Sequence, residues 1–385
     1  MFIALGNGSL AKYPPGGGHW SWFLQYPLGL KALGHKILWV ELLQSTADPA
    51  SDAALIRDFF TRLRDYQLDD DSVLVLLPNL DEQRIEEGQF FGKTRNQLEE
   101  AIRASDLLWN FCCALRDPLL SRFRRRVLID VDPGHLQVVT KSYHFDMGIS
   151  AHDAFLTVGS KINDLDCEIP RLGHTWKPFF PFVYLPLWPA MPDPGPQAPF
   201  TSITQWEWEE LTLDHRVLSL SKRAAYRKYA ALARISGRPF ELAANIDTGD
   251  YGKDRVFFSE NNWKLADPNE VATTPLKYQQ YIQRSRAEIQ CPKPIFRDLK
   301  TGWISDRSIC YLASGRPVLA ENTGFPDKVP AGAGLVAFNS LEEAITAVAE
   351  IDARYDYHSR AGRELVTELF TSARCLPTMI ADSEV

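Results

Sequence analysis

The sequence predicts an α/β protein built as two Rossmann-like parallel-sheet domains facing a cleft. Three observations lead there. The first 41 residues read strand–loop–helix–strand, short apolar runs then alternate with helical stretches, and one proline-dense segment divides the pattern in two. Buried strands alternating with helices indicate a parallel sheet covered on both faces.

Phe2-Ile3-Ala4-Leu5 is the opening strand. After a Gly-rich loop, Phe23, Leu24, Tyr26, Leu28, Leu30 and Leu33 mark a helix that Gly34 closes, and Lys36 to Glu41 is the next strand. Val73 to Leu77, Asp106 to Cys112, Arg126 to Val131 and Ala154 to Val158 continue the sheet, with a helix over Gln97 to Ser105. Residues 169–200 carry nine prolines and cannot form helix or central strand. Beyond them, strands are expected at Arg216–Leu220, Phe240–Ala244, Ala287–Gln290, Arg316–Ala320 and Gly334–Phe338. Helices are expected near 224–236, 276–285, 306–314, 341–352 and 359–370. The division is 1–205, 206–358 and a C-terminal helix, 359–385, crossing back to the first domain.

Composition narrows the function. The chain has 385 residues, of which 45% are hydrophobic and 24% charged, so it is neither disordered nor fibrous. Its net charge of −7 argues against a nucleic-acid partner, and the Arg122, Arg124, Arg125, Arg126 run reads as a solvated helix end. Six cysteines without C-x-x-C or metal-ligand spacing read as free thiols in a reducing compartment. With no membrane span and no signal peptide, a cytoplasmic location is expected. The 10 Trp, 13 Tyr and 21 Phe cluster beside Gly, His and Pro, as at Trp20, Trp22 and Phe23 and again from Trp176 to Trp188. Placed so, they suggest an acceptor with a flat or apolar face.

Three stretches carry candidate chemistry. In Pro14-Pro15-Gly16-Gly17-Gly18-His19-Trp20, glycines let backbone approach a ligand, and His19 stands at a helix entry beyond a strand's carboxyl end. It is either a general base or a structural cap. Val127-Leu128-Ile129-Asp130-Val131-Asp132-Pro133-Gly134 ends a buried strand in two carboxylates. They could orient a histidine, hold a divalent metal as D-x-D, or start a turn. Thr301 to Val318 holds a helix with Ser305 or Asp306 at its cap, whose amides with Arg307 and Ser308 suit a diphosphate. Glu321 to Phe325 follows as a polar loop.

These pieces, in this order, resemble the GT-B class of nucleotide-sugar glycosyltransferases. Gly18-His19 opening a helix closed by Gly34, and Tyr311-Leu312-Ala313-Ser314-Gly315-Arg316-Pro317-Val318, carry the resemblance. It implies His19 as the base that deprotonates an acceptor hydroxyl, Asp130 as its carboxylate partner, and transfer with inversion from a UDP-type donor without a metal or other cofactor. It also implies a donor site drawn from Gly17, Gly18, Lys222, Trp263, Lys293, Asp306, Arg307, Ser308, Asn322, Thr323 and Gly324, with Arg223 a further diphosphate partner and Trp303 an alternative base-stacking residue. Many family members have Glu where this chain has Cys310; Asp306, one turn earlier on the same face, is expected to replace it. The partners are then a nucleotide-sugar and a small-molecule or glycan acceptor. A nucleotide-sugar epimerase and a non-catalytic carbohydrate-binding scaffold are the alternatives.

Overall fold

The computed structural model describes residues 1–145, 147–246 and 252–385. The first eight strands are β1 (Phe2–Asn7), β2 (Lys36–Gln44), β3 (Ser72–Leu77), β4 (Gln89–Phe91), β5 (Leu107–Phe111), β6 (Arg126–Asp130), β7 (Ala154–Thr157) and β8 (Trp176–Pro178). They form one sheet in the order β4-β3-β2-β1-β5-β6-β7-β8, with only β4 antiparallel. The remaining strands are β9 (Phe200–Thr204), β10 (Glu210–Leu213), β11 (Arg216–Ser219), β12 (Phe240–Ala244), β13 (Trp263–Ala266), β14 (Ala287–Gln290), β15 (Val318–Glu321) and β16 (Leu335–Phe338). Six of them make a parallel sheet ordered β13-β12-β9-β14-β15-β16, while β10 and β11 pair as a separate hairpin.

Strand order reverses between β1 and β5 in one sheet and between β9 and β14 in the other. In open α/β sheets, ligands lodge beyond the carboxyl ends at such points. Three expectations change. β9 belongs to the second sheet, so a boundary at 205 falls after that sheet's first strand. The strand expected at Arg216–Leu220 is the return arm of the hairpin. The single helix expected over 224–236 is two short ones, Arg223–Lys228 and Ala231–Ser236.

The Gly17–Ala32 helix is apolar nearly all round because it is covered on both sides. Trp20 and Phe23 meet Trp39 of β2, and the opposite face carries the final helix, Ser372–Glu384. Gly29 permits that approach: a Cβ there would stand 2.6 Å from Ser372 Cβ. The indole of Trp109 donates to Ser383 Oγ at 2.9 Å, fastening the C-terminus to β5 of the first domain. Between the domains, Lys161 N donates to Thr301 O at 3.1 Å and Ser160 Oγ to Gly302 O at 2.7 Å. Among the described residues, no helix is long and apolar enough to cross a membrane.

Candidate functional site

A cleft of about 650 Å³ lies between the two sets of strand ends. Asn7, Ser9, His19, Trp22, Phe111 and Asp132 line it from the first domain; Lys222, Lys293, Trp303 and Asp306 line it from the second. Trp208, 52% exposed, stands at its mouth.

His19 lies two residues into its helix, over the β1 loop. Its Nε2 is 2.7 Å from Ser9 Oγ, and its Nδ1 accepts from the Trp22 indole at 3.3 Å. Burial, without a compensating carboxylate, pushes the imidazole down to about 4. The loop beneath is pinned by Glu41, whose Oε1 accepts the Leu10 and Ala11 amides at 2.7 and 2.9 Å.

Asp130 does not join His19. It is fully buried, accepting from Gln137 Nε2 and Thr157 Oγ1, each at 2.8 Å, and from the Asp132 amide at 3.1 Å. It ties β6 to β7 and to the following helix. Asp132 forms an ion pair across the cleft with Lys293. The two carboxylates of the D-x-D stretch are therefore engaged with different protein groups, and among the described residues no three His, Cys, Asp or Glu side chains gather as a metal site.

On the donor side, Lys222 and Lys293 reach the cleft as the sequence suggests. Lys222 is half-buried, its Nζ 6.0 Å from the centroid of Trp303. Among the described residues no carboxylate comes within ion-pair distance of it. Burial and the neighbouring Arg307 and Lys293 push its ammonium down to about 7. Asp306 faces the same space. Burial raises its carboxyl, while Arg307, Lys222 and the amides of Arg307 and Asp306 itself pull the other way. Ser305 is the N-cap residue but its side chain makes no capping bond. Cys310 is buried in the apolar core behind the helix.

Several expected donor residues have other duties. Arg307 pairs with Glu288 at 2.6 Å and donates to Ile203 O at 2.6 Å, a buried pair that orders the helix under the cleft. Ser308 is buried, and its Oγ has no hydrogen-bond partner among the described residues. Arg223 pairs with Asp254 at 2.5 Å. Trp263 sits in β13, packed on Phe240 and Phe258 and donating to Ala230 O at 2.7 Å; it is core, away from the cleft. Asn322 accepts the Gly324 amide at 2.7 Å and Thr323 donates to Trp303 O at 2.6 Å. A Cβ on Gly324 would meet Lys161 Cδ at 2.8 Å, so this loop seats the first domain against the second. Gly17 and Gly18 do the same: a Cβ on Gly17 would lie 2.3 Å from Thr274 O, and one on Gly18 2.8 Å from the Tyr278 ring. Gly17 admits the second domain's backbone and Gly18 its Tyr278 ring.

This arrangement, two parallel sheets with their carboxyl edges across a cleft, is the GT-B fold of nucleotide-sugar glycosyltransferases. The chain is similar over its whole length to an α-glucosyltransferase solved with UDP-glucose and DNA containing an abasic site, with a TM-score of 0.63 and 9% identity, covering 100% of both chains. It is similar to Anabaena Alr3699/HepE solved with UDP and glucose, with a TM-score of 0.55 and 11% identity, covering 100% of this chain and 99% of that one. It also matches AviGT4, a glycosyltransferase of avilamycin A biosynthesis, with a TM-score of 0.52 and 13% identity, covering 100% and 97%. No protein-family model and no curated protein matches the sequence. One expectation is overturned. Several structures similar to this chain are α-glucosyltransferases bound to DNA, so a net charge of −7 does not exclude a nucleic-acid partner on this fold. Net charge averages over a surface whose local potential decides binding.

Proposed function

We propose that this chain transfers a sugar from a nucleoside-diphosphate donor to an acceptor hydroxyl held in the interdomain cleft. Lys222 carries the reading: a half-buried cation facing the cleft, with Arg307 and Lys293 near it, Asp306 and Glu288 acting on it only from beyond ion-pair distance, and, among the described residues, no carboxylate paired with it. Such a group is completed by an anion, and a departing diphosphate develops its negative charge there. UDP is the first donor to try, because similar structures are named as complexes with UDP or UDP-glucose. Asp306 is assigned to donor hydroxyls, in place of the carboxylate missing at Cys310. We assign charge neutralisation to Lys222 rather than to a metal, since Asp130 is bonded to Gln137 and Thr157 and Asp132 is paired with Lys293. Turnover should then survive a chelator.

For the acceptor side we propose inversion, with His19 taking the acceptor proton. A second reading, retention, is favoured by one observation: Asp130 is bonded to Gln137 and Thr157 instead of His19, which leaves the imidazole without a carboxylate to stabilise its charged form. The anomeric configuration of the first-formed product, followed by NMR, separates the two. For the transfer itself, thermal shift and turnover are measured with UDP-sugars, for the native chain and for Lys222→Ala. Stabilisation by UDP that Lys222→Ala abolishes supports the donor site. No response to any nucleoside diphosphate would leave a non-catalytic scaffold, and conversion of donor without acceptor would indicate an epimerase.

A further inference from the structure

The hydrogens around His19 can be placed by elimination. Asn7 ends β1, and its Oδ1 lies 2.7 Å from the Gly8 amide, 2.9 Å from the Ser9 amide and 2.8 Å from Ser9 Oγ. Two backbone N–H donors require that atom to be the oxygen of the amide, which only accepts. Ser9 therefore directs its hydroxyl proton to Asn7, and toward His19 it has only lone pairs. Nε2 of His19 stands 2.7 Å from that hydroxyl oxygen, so the proton between them sits on Nε2. At the other end of the ring, Nδ1 is 3.3 Å from the Trp22 indole nitrogen, which only donates. Both ends of the ring require the same tautomer.

We propose that Ser9, anchored by Asn7, is a positioning residue that holds His19 as the neutral Nε2–H tautomer and makes Nδ1 the atom that receives the acceptor's proton. The tautomer stands on the hydrogen-bond geometry alone; its catalytic use rests on the inverting reading above. In that step the acceptor O–H bond breaks and its proton goes to Nδ1. The acceptor oxygen bonds the anomeric carbon, and the bond from that carbon to the diphosphate breaks with its electron pair on the leaving oxygen. The imidazolium that forms keeps Nε2–H on Ser9 Oγ. The Trp22 contact, the longer of the two, is the one an incoming hydroxyl displaces. A serine–asparagine pair thereby takes the orienting role that sequence reasoning gave to Asp130. A neutral pair orients the ring without stabilising its positive charge, consistent with burial leaving His19 at about 4.

The test uses the full chain with nitrogen-15 in its histidines, held near neutral pH, with His19→Gln assigning the signal. The expected spectrum shows a protonated Nε2 and an unprotonated Nδ1 for His19, and Ser9→Ala shifts the ring toward a tautomer mixture. A protonated Nδ1 in the native chain, or an unchanged ring in a folded Ser9→Ala, overturns the proposal. Should Ser9→Ala not fold, the native spectrum together with Ser9→Thr, expected to keep the tautomer, decides the matter. In turnover, Ser9→Ala should lower kcat by roughly tenfold with donor KM unchanged, and Ser9→Thr should restore it. The expected tautomer with full turnover in His19→Gln would overturn the base assignment and leave donor binding at Lys222 standing.

Discussion

The two walls of the cleft handle polar groups in opposite ways. On the first domain's wall the polar atoms satisfy one another: Asn7 holds Ser9, Ser9 holds His19, and Trp22 closes the ring's other end. His19 is neutral there at ordinary pH, because burial holds it near 4. On the second domain's wall, like charges gather. Lys222 stands near Arg307, which is paired with Glu288, and Lys293, which is paired with Asp132, and among the described residues buried Arg307 Nη2, Glu288 Oε2 and Ser308 Oγ have no hydrogen-bond partner. Around His19 the first wall is closed on itself, although Asp132 Oδ1 on the same wall has no hydrogen-bond partner among the described residues. The other presents Lys222 to the cleft without an ion-pair partner among the described residues, and Asp306 stands in the first turn of the helix beside it.

The largest expected effect tests whether the second wall is held from below. Arg307 and Glu288 form a buried pair, and removing one partner leaves the other as an uncompensated buried charge. Arg307→Ala should lower folding stability by about 3–5 kcal/mol in denaturant titration. A loss under 1 kcal/mol would mean that the wall does not depend on the pair.

Lys222→Ala separates binding from folding. Charge-assisted bonds of this kind contribute about 1.5–3 kcal/mol, so affinity for a nucleoside diphosphate should fall roughly ten- to hundredfold. The ligand-free protein should lose no stability, since among the described residues no carboxylate lies within ion-pair distance of the lysine. Unchanged UDP affinity would break the contrast between the walls.

Titration sharpens the contrast further, because both groups have folded values below their unfolded ones. For His19 the window runs from about 4 to 6.5. Across it the unfolded chain holds a proton that the folded chain does not, so stability rises with pH. For Lys222 the same sign applies between about 7 and 10.5. His19→Gln should reduce the slope in the acidic window alone and Lys222→Ala that in the basic one alone, read as midpoint temperatures across pH. A variant that reduced both would show the walls to be one coupled unit.

The fold was legible because its signals are local: apolar strands bounded by glycine, and helices with regular spacing. The site was legible only in part, since a residue type at a strand end does not name its partner. Asp130 reads identically in sequence whether it faces a histidine or, as here, Gln137 and Thr157. The glycines before His19 look the same whether they admit a phosphate or the Thr274 carbonyl. Ser9 and Asn7 went unremarked, although an Asn two residues before a Ser at a strand end is the signature of a side chain folding back on the backbone. β13 was missed because four residues at a sheet edge carry too little periodicity, and Trp263 was freed by that omission to look like a ligand contact.

Trp263 provides the smallest test and the cleanest negative. Its ring packs on Phe240 at 4.9 Å and Phe258 at 5.6 Å, and its indole donates to Ala230 O at 2.7 Å. Trp263→Phe keeps an aromatic ring in the core and removes the donor to Ala230 O. The expected cost is about 1–2 kcal/mol of stability. Because the side chain lies on the outer strand of the second sheet rather than on the cleft, UDP affinity should not move once stability is allowed for. A tenfold loss of UDP affinity in a variant still fully folded at the assay temperature would return Trp263 to the donor site. It would also extend the proposed donor site beyond Lys222.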